Sequence, residues 1–124
     1  MIEIEVANRS AVEFDDGAAC ALIRDVLSAE GAAEGEVGLQ LVDPDEIRAL
    51  KRDHLGSDEE TDALAFPIDA REPLPAGVPR QLGDVVLCPQ VVGDAWRPPL
   101  VHAVLHLVGY DHGAEMEARE RTHV

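Results

Sequence analysis

Apolar and polar residues alternate at the start of the chain. Ile2, Ile4 and Val6 fall on one side of Met1–Ala7 and Glu3 and Glu5 on the other, a period of two that predicts a half-buried strand. The spacing then lengthens. From Ala18 the apolar positions Leu22, Ile23, Val26 and Leu27 recur at helical intervals, with Asp15 or Asp16 placed as cap and Gly31 and Gly35 placed to end the helix. Glu36–Val42 returns to alternation through Val37, Leu39 and Leu41 and predicts a second strand. Asp43-Pro44-Asp45-Glu46 supplies a cap, a proline at the first helical position and acids in the first turn, so a helix is expected through Ile47 and Leu50 to near Gly56. Ser57–Glu60 is a polar turn. Asp62–Ile68 and Gly83–Cys88 read as two further strands, and Arg71–Arg80, with Pro73, Pro75, Gly77 and Pro79, as an irregular surface loop. Pro98-Pro99 precedes an apolar helix from Leu100 to about Val108, ended by Gly109. Gly113–Thr122 holds helix formers for a last helix. Four strands interleaved with helices predict a single α/β or α+β domain.

Composition sharpens this picture. A chain of 124 residues suits one domain of roughly 100–150 residues. Hydrophobic residues make up 46% but aromatics only 3%, so the core must be built from Val, Leu, Ile and Ala. The formal net charge of -15 weighs against general nucleic-acid binding, because duplex affinity comes mostly from Lys and Arg on phosphates. It weighs equally against anionic membranes, and its simplest reading is solubility. No stretch approaches the ~20 apolar residues of a membrane span. The acidic start lacks the basic-then-apolar order of a secretory signal, so a cytoplasmic protein is expected. Cys20 and Cys88 then read as small buried hydrophobes rather than a disulfide.

The chemistry concentrates in Leu100–Gly113. His102 and His106 stand four apart on the predicted helix, and at about 100° per residue they share one face. Two imidazoles so placed can chelate one metal ion. Gly109 permits a sharp turn that can return His112 to the same point. Three imidazoles with a fourth position left to water is the ligand count of a catalytic zinc site. The spacing His-x-x-x-His-x-x-Gly-x-x-His is also the frame of the metzincin peptidases, whose general base is a Glu directly after the first His. Here that position is Ala103, so the metal frame is kept and the peptidase base is missing. Buried imidazoles without partners would each cost roughly 1–3 kcal/mol, and a shared metal removes that cost. His54, at a helix end, and His123, at a terminus expected to fray, have no such neighbours and are not expected to be ligands.

His-Ala-Val-Leu-His-Leu-Val-Gly-Tyr-Asp-His at 102–112 resembles the signature of the YbeY endoribonuclease family, written H-G-x-L-H-L-x-G-Y-D-H. Leu55–Pro67 resembles the family's T-D-V-L-S-F-P block with its upstream turn, and Leu82–Leu87 resembles its L-G-D-I-V-I strand. The resemblance covers about residues 40–120. It implies an α+β, zincin-like domain with a four-stranded mixed sheet and a metal site on a C-terminal helix and the following turn. It implies one divalent ion, zinc, held by His102, His106 and His112. It further implies a single-strand-specific endoribonuclease acting in 16S rRNA 3′ end maturation and ribosome quality control. The implied partners are precursor rRNA and the small ribosomal subunit or its assembly proteins, with no membrane and no DNA duplex. Ala103, Ala63 and Ala65 depart from the family's usual Gly, Val and Ser. Leu55 stands where many relatives carry an Arg for substrate phosphate; Lys51 or Arg52, one helical turn earlier, could take its place.

Metal-assisted cleavage still needs a group to take a proton. Asp62, Asp84 and Asp111 are the candidate bases, with a metal-bound hydroxide acting alone equally open. Asp111, directly before a ligand, could instead cap a turn or orient an imidazole. Two rival readings are a zinc-dependent metallopeptidase-like hydrolase, from the ligand spacing, and a non-catalytic metal-stabilised ribosome-binding module.

Overall fold

A computed structural model describes residues 1–55, 63–110 and 113–123. Its elements follow the order β1 (Ile2–Asn8), α1 (Asp16–Ala29), β2 (Gly35–Leu41), α2 (Pro44–Leu55), β3 (Ala63–Pro67), β4 (Gln81–Leu87), α3 (Pro89–Val92), α4 (Arg97–Leu107) and α5 (Ala114–His123). The four strands form one mixed sheet in the order β1-β2-β4-β3. β1, β2 and β4 run parallel, and β3 closes the edge antiparallel to β4. The fold is α+β, as expected.

Local chemistry sets the helix starts. Asp15, rather than Asp16, caps α1, its side chain accepting from the Ala18 amide at 3.0 Å. Asp43 does the same for α2 through the Glu46 amide at 2.8 Å, with Pro44 leading the first turn. Pro98 and Pro99 do not precede α4 but sit in its first turn, where a missing N–H costs nothing. The short α3 was not expected; Pro89 opens it directly after β4.

In-register neighbours share a sheet face, and this sorts the strands into two sides. One side carries Ile2, Val37, Leu39, Leu41, Val85 and Leu87, which pack with α1 and α4 in the main core. The other carries Glu3, Glu5, Glu36 and Asp84, with Val86 buried beside Ile47 of α2. Cys88 is buried in that second cluster, as a small hydrophobe would be. Gly83 lets α4 approach the sheet: its φ is +133°, and a Cβ there would meet the Phe66 carbonyl at 2.2 Å and a Leu107 methyl at 3.0 Å. α4 thereby becomes the hub of the molecule, packed on α1, β3, β4 and α5. Among the described residues, no helix is long and apolar enough to cross a membrane.

Candidate metal centre

α4 is apolar almost all round because almost all of it is covered. Leu100, Val101, Ala103, Val104, Leu105 and Leu107 are buried. His102 and His106 occupy the stripe left partly open, with the His102 side chain 37% exposed. Helical spacing of four residues brings their rings to a centroid distance of 4.8 Å, edge to face. The two Nε2 atoms face each other at 3.2 Å.

Each ring's other nitrogen is held. His106 Nδ1 lies 2.9 Å from the Tyr110 carbonyl oxygen, which can only accept. His102 Nδ1 is in contact with the Glu120 carboxylate. Both acceptors favour the tautomer with its hydrogen on Nδ1, in which Nε2 offers a lone pair. In that tautomer a cation between the two Nε2 atoms could be bound by both. Two nitrogens on a tetrahedral zinc, at its usual bond length, stand about 3.3 Å apart. The histidine pair fits a divalent ion in both donor chemistry and spacing.

The turn after α4 is fixed from behind. Val108 ends the helix, and Gly109 reverses the chain at φ +98°. The Tyr110 amide bonds to the Leu105 carbonyl at 3.2 Å, and its hydroxyl donates to Glu30 Oε1 at 2.8 Å. Glu30, the C-cap of α1, is buried, with its side chain 3% exposed. Arg119 donates to its Oε2 through Nε at 2.8 Å and Nη2 at 2.6 Å, and His123 Nε2 approaches the same oxygen at 2.8 Å. Burial pushes the Glu30 carboxyl up, but the bonds from Arg119, His123 and Tyr110 outweigh it and hold the pKa at about 2. The same bond to the Glu30 carboxylate pushes the Tyr110 hydroxyl up. Arg71 completes the assembly: Nε donates to the Val108 carbonyl at 2.9 Å and Nη2 to the Glu30 carbonyl at 2.8 Å. One guanidinium thus serves the C-terminal ends of both α1 and α4.

Of the sequence candidates, His102 and His106 are brought together. His112, Asp111 and Asp62 lie outside the described residues. Among the described residues, no group of three or more His, Cys, Asp or Glu side chains is arranged to hold a metal. Asp84 lies on the sheet face opposite α4, in a groove with Glu3, Glu5 and Glu36, which takes it away from the histidine pair. Lys51 and Arg52 are on α2, Arg52 exposed and near Asp53 at 3.4 Å; Leu55 ends that helix. His123 corrects an expectation. It does not fray; its side chain is 8% exposed and packs on Glu30. Ala103, where a metzincin carries its base, is 2% exposed within the core, so that position cannot present an acid to the site.

Glu120, Glu30 and Arg119 were missed by sequence reasoning. A signal existed. Met116 is buried, and Arg119, Glu120 and His123 follow it at i+3, i+4 and i+7, the inward stripe of a helix whose other residues are exposed.

A mixed four-stranded sheet, with a paired histidine stripe on the helix packed at its centre, defines a small α+β domain. Residues 4–123 match the family described as Endoribonuclease YbeY. Relatives of that name include a Halorhodospira halophila protein, 41% identical over 82% of this chain and 75% of its own length. A Salinispora tropica relative is 37% identical over 96% of this chain and 88% of its own, and one from Alcanivorax borkumensis is 34% identical over 90% and 70%. The solution structure of TM1509 from Thermotoga maritima shares the fold, with a TM-score of 0.57 at 24% identity over 99% of this chain and 86% of that one. The chain belongs to the YbeY endoribonuclease family.

Proposed function

We propose that this chain is a single-domain, zinc-dependent endoribonuclease that cuts single-stranded RNA in 16S rRNA 3′ end maturation and ribosome quality control. Family membership supports a ribonuclease role in rRNA maturation, and with it a hydrolytic activity. The observation that carries the metal is the pair of inward Nε2 atoms 3.2 Å apart, each ring fixed through Nδ1. His102 and His106 would hold the ion, with His112, outside the described residues, as the proposed third ligand. A bound divalent ion would supply Lewis acidity at a phosphoryl oxygen and acidify a water. The chain's own part is to hold both imidazoles in place through their Nδ1 contacts. A groove of about 310 Å³ beside the pair, lined by Ala63, Pro98, Pro99, His102 and Glu120, is where a strand of RNA would reach it. The expected partners are precursor rRNA and the small ribosomal subunit or its assembly proteins, in the cytoplasm. The buried Ala103 weighs against a peptidase.

The test is direct. Purified protein should carry about one zinc per chain and cut single-stranded RNA, and His102→Ala or His106→Ala should remove both properties. Full RNA cleavage by metal-free His106→Ala protein would sink the mechanism. Depletion in cells should leave small-subunit rRNA with unprocessed 3′ ends; mature ends would count against the assignment.

A further inference from the structure

We propose that Glu120 is a positioning residue of the metal centre, acting through His102. The proposal rests on the zinc reading above and deepens it. His106 takes its orientation from a backbone carbonyl four residues along its own turn. The Nδ1 of His102 instead meets a side chain 18 residues away on another helix. That partner is a carboxylate, which accepts the Nδ1 hydrogen, leaves Nε2 as the ligating atom and raises the basicity of the ring toward a cation. Glu120 itself is set by α5: it lies on the stripe of Met116, which is buried, and follows Arg119, which is bound to Glu30. Its side chain is 29% exposed and lines the groove beside His102. α5 thus carries the carboxylate to His102, and it is the element that would aim the first histidine.

The experiment compares wild type with Glu120→Ala, Glu120→Gln and, as control, Glu117→Gln on the exposed side of the same helix. Zinc affinity is read by chelator competition, and the His102 tautomer by nitrogen-15 NMR of the metal-free protein. Glu120→Ala should weaken zinc roughly 10–100-fold and move His102 toward the Nε2–H tautomer. Glu120→Gln, whose amide oxygen can still accept, should keep the tautomer and recover part of the affinity. Glu117→Gln should match wild type. Wild-type affinity together with an unchanged tautomer in Glu120→Ala overturns the proposal. If Glu120→Ala does not fold, the conservative Glu120→Gln carries the judgement: zinc affinity below that of wild type supports the proposal, and wild-type affinity with a wild-type tautomer overturns it. If wild-type protein binds no zinc, the metal reading fails, and the tautomer comparison still decides whether Glu120 sets His102.

Discussion

Glu30 shows how much one buried carboxylate can organise. It holds Tyr110, Arg119 and His123 on two oxygens, and its own carbonyl receives Arg71. The pKa of about 2 against an ordinary value of 4.5 makes this a stability statement. A depressed carboxylate contributes stability that is fully present above its unfolded value and lost as pH falls toward its folded value. The expected contribution is roughly 3 kcal/mol, present above about pH 4.5 and eroded toward pH 2. Urea unfolding of wild type and Glu30→Gln across that range should show the gap between them closing on acidification. A gap independent of pH would mean that the carboxylate's charge is not what stabilises the clamp. Nothing local marks Glu30 for this role. Its side-chain partners are 80 to 93 residues away, and no spacing rule connects positions so distant. His102 and His106, by contrast, were legible because a helix puts residues four apart on one face whatever surrounds it.

Elements were legible wherever a period and a cap agreed. The Asp43-Pro44 start of α2 and the Gly109 stop of α4 are local backbone chemistry and appear as expected. What the pattern could not give was pairing. β3 lies between β2 and β4 in sequence, yet β2 pairs with β4 and β3 takes the outer edge. Alternation fixes which face of a strand is buried, not which strand lies beside it. The loop between β3 and β4 read only as irregular, but it delivers Arg71 to the ends of α1 and α4. Two charge-assisted bonds to helix-terminal carbonyls, partly open to water, are worth about 1–3 kcal/mol together. Arg71→Ala should lower unfolding stability by that amount. Arg71→Lys should recover less than half, because an ammonium cannot span both carbonyls as a planar fork does. A lysine variant as stable as wild type would show that charge near the helix ends matters and bridging does not. The stripe Met116, Arg119, Glu120, His123 belongs to the same lesson: the period was present, but three of its four members are polar, so it did not read as a buried face.

At the scale of the whole molecule the question is how a chain of charge -15 handles RNA. The sheet separates the problem in space. Glu3, Glu5, Glu36 and Asp84 line a groove of about 410 Å³ on the face away from α4, while the histidine stripe lies on the other side with Ala63, Pro98, Pro99 and Glu120 beside it. The layers between the two faces, and screening over about 8 Å at physiological salt, keep much of that negative field from the site. Residual repulsion remains, because 25 acids against 10 bases leave few cations to neutralise phosphates. On the zinc reading proposed above, affinity for free RNA would come from the bound ion and a handful of placed contacts, with the rest supplied by delivery on a larger particle. Two consequences can be measured together. Cleavage of a free single-stranded RNA by the isolated protein should be weak and salt-sensitive, since the few cations that meet phosphate are easily screened. Binding to arbitrary duplex at physiological salt should be weaker than about 10⁻⁴ M, the loose end of ordinary non-specific affinity. Adding small-subunit particles that carry unprocessed 3′ ends should raise the cleavage rate at their rRNA. Tight duplex binding by the isolated chain would show that its acidic faces do not govern its encounter with nucleic acid, and the separation by the sheet would lose its functional meaning.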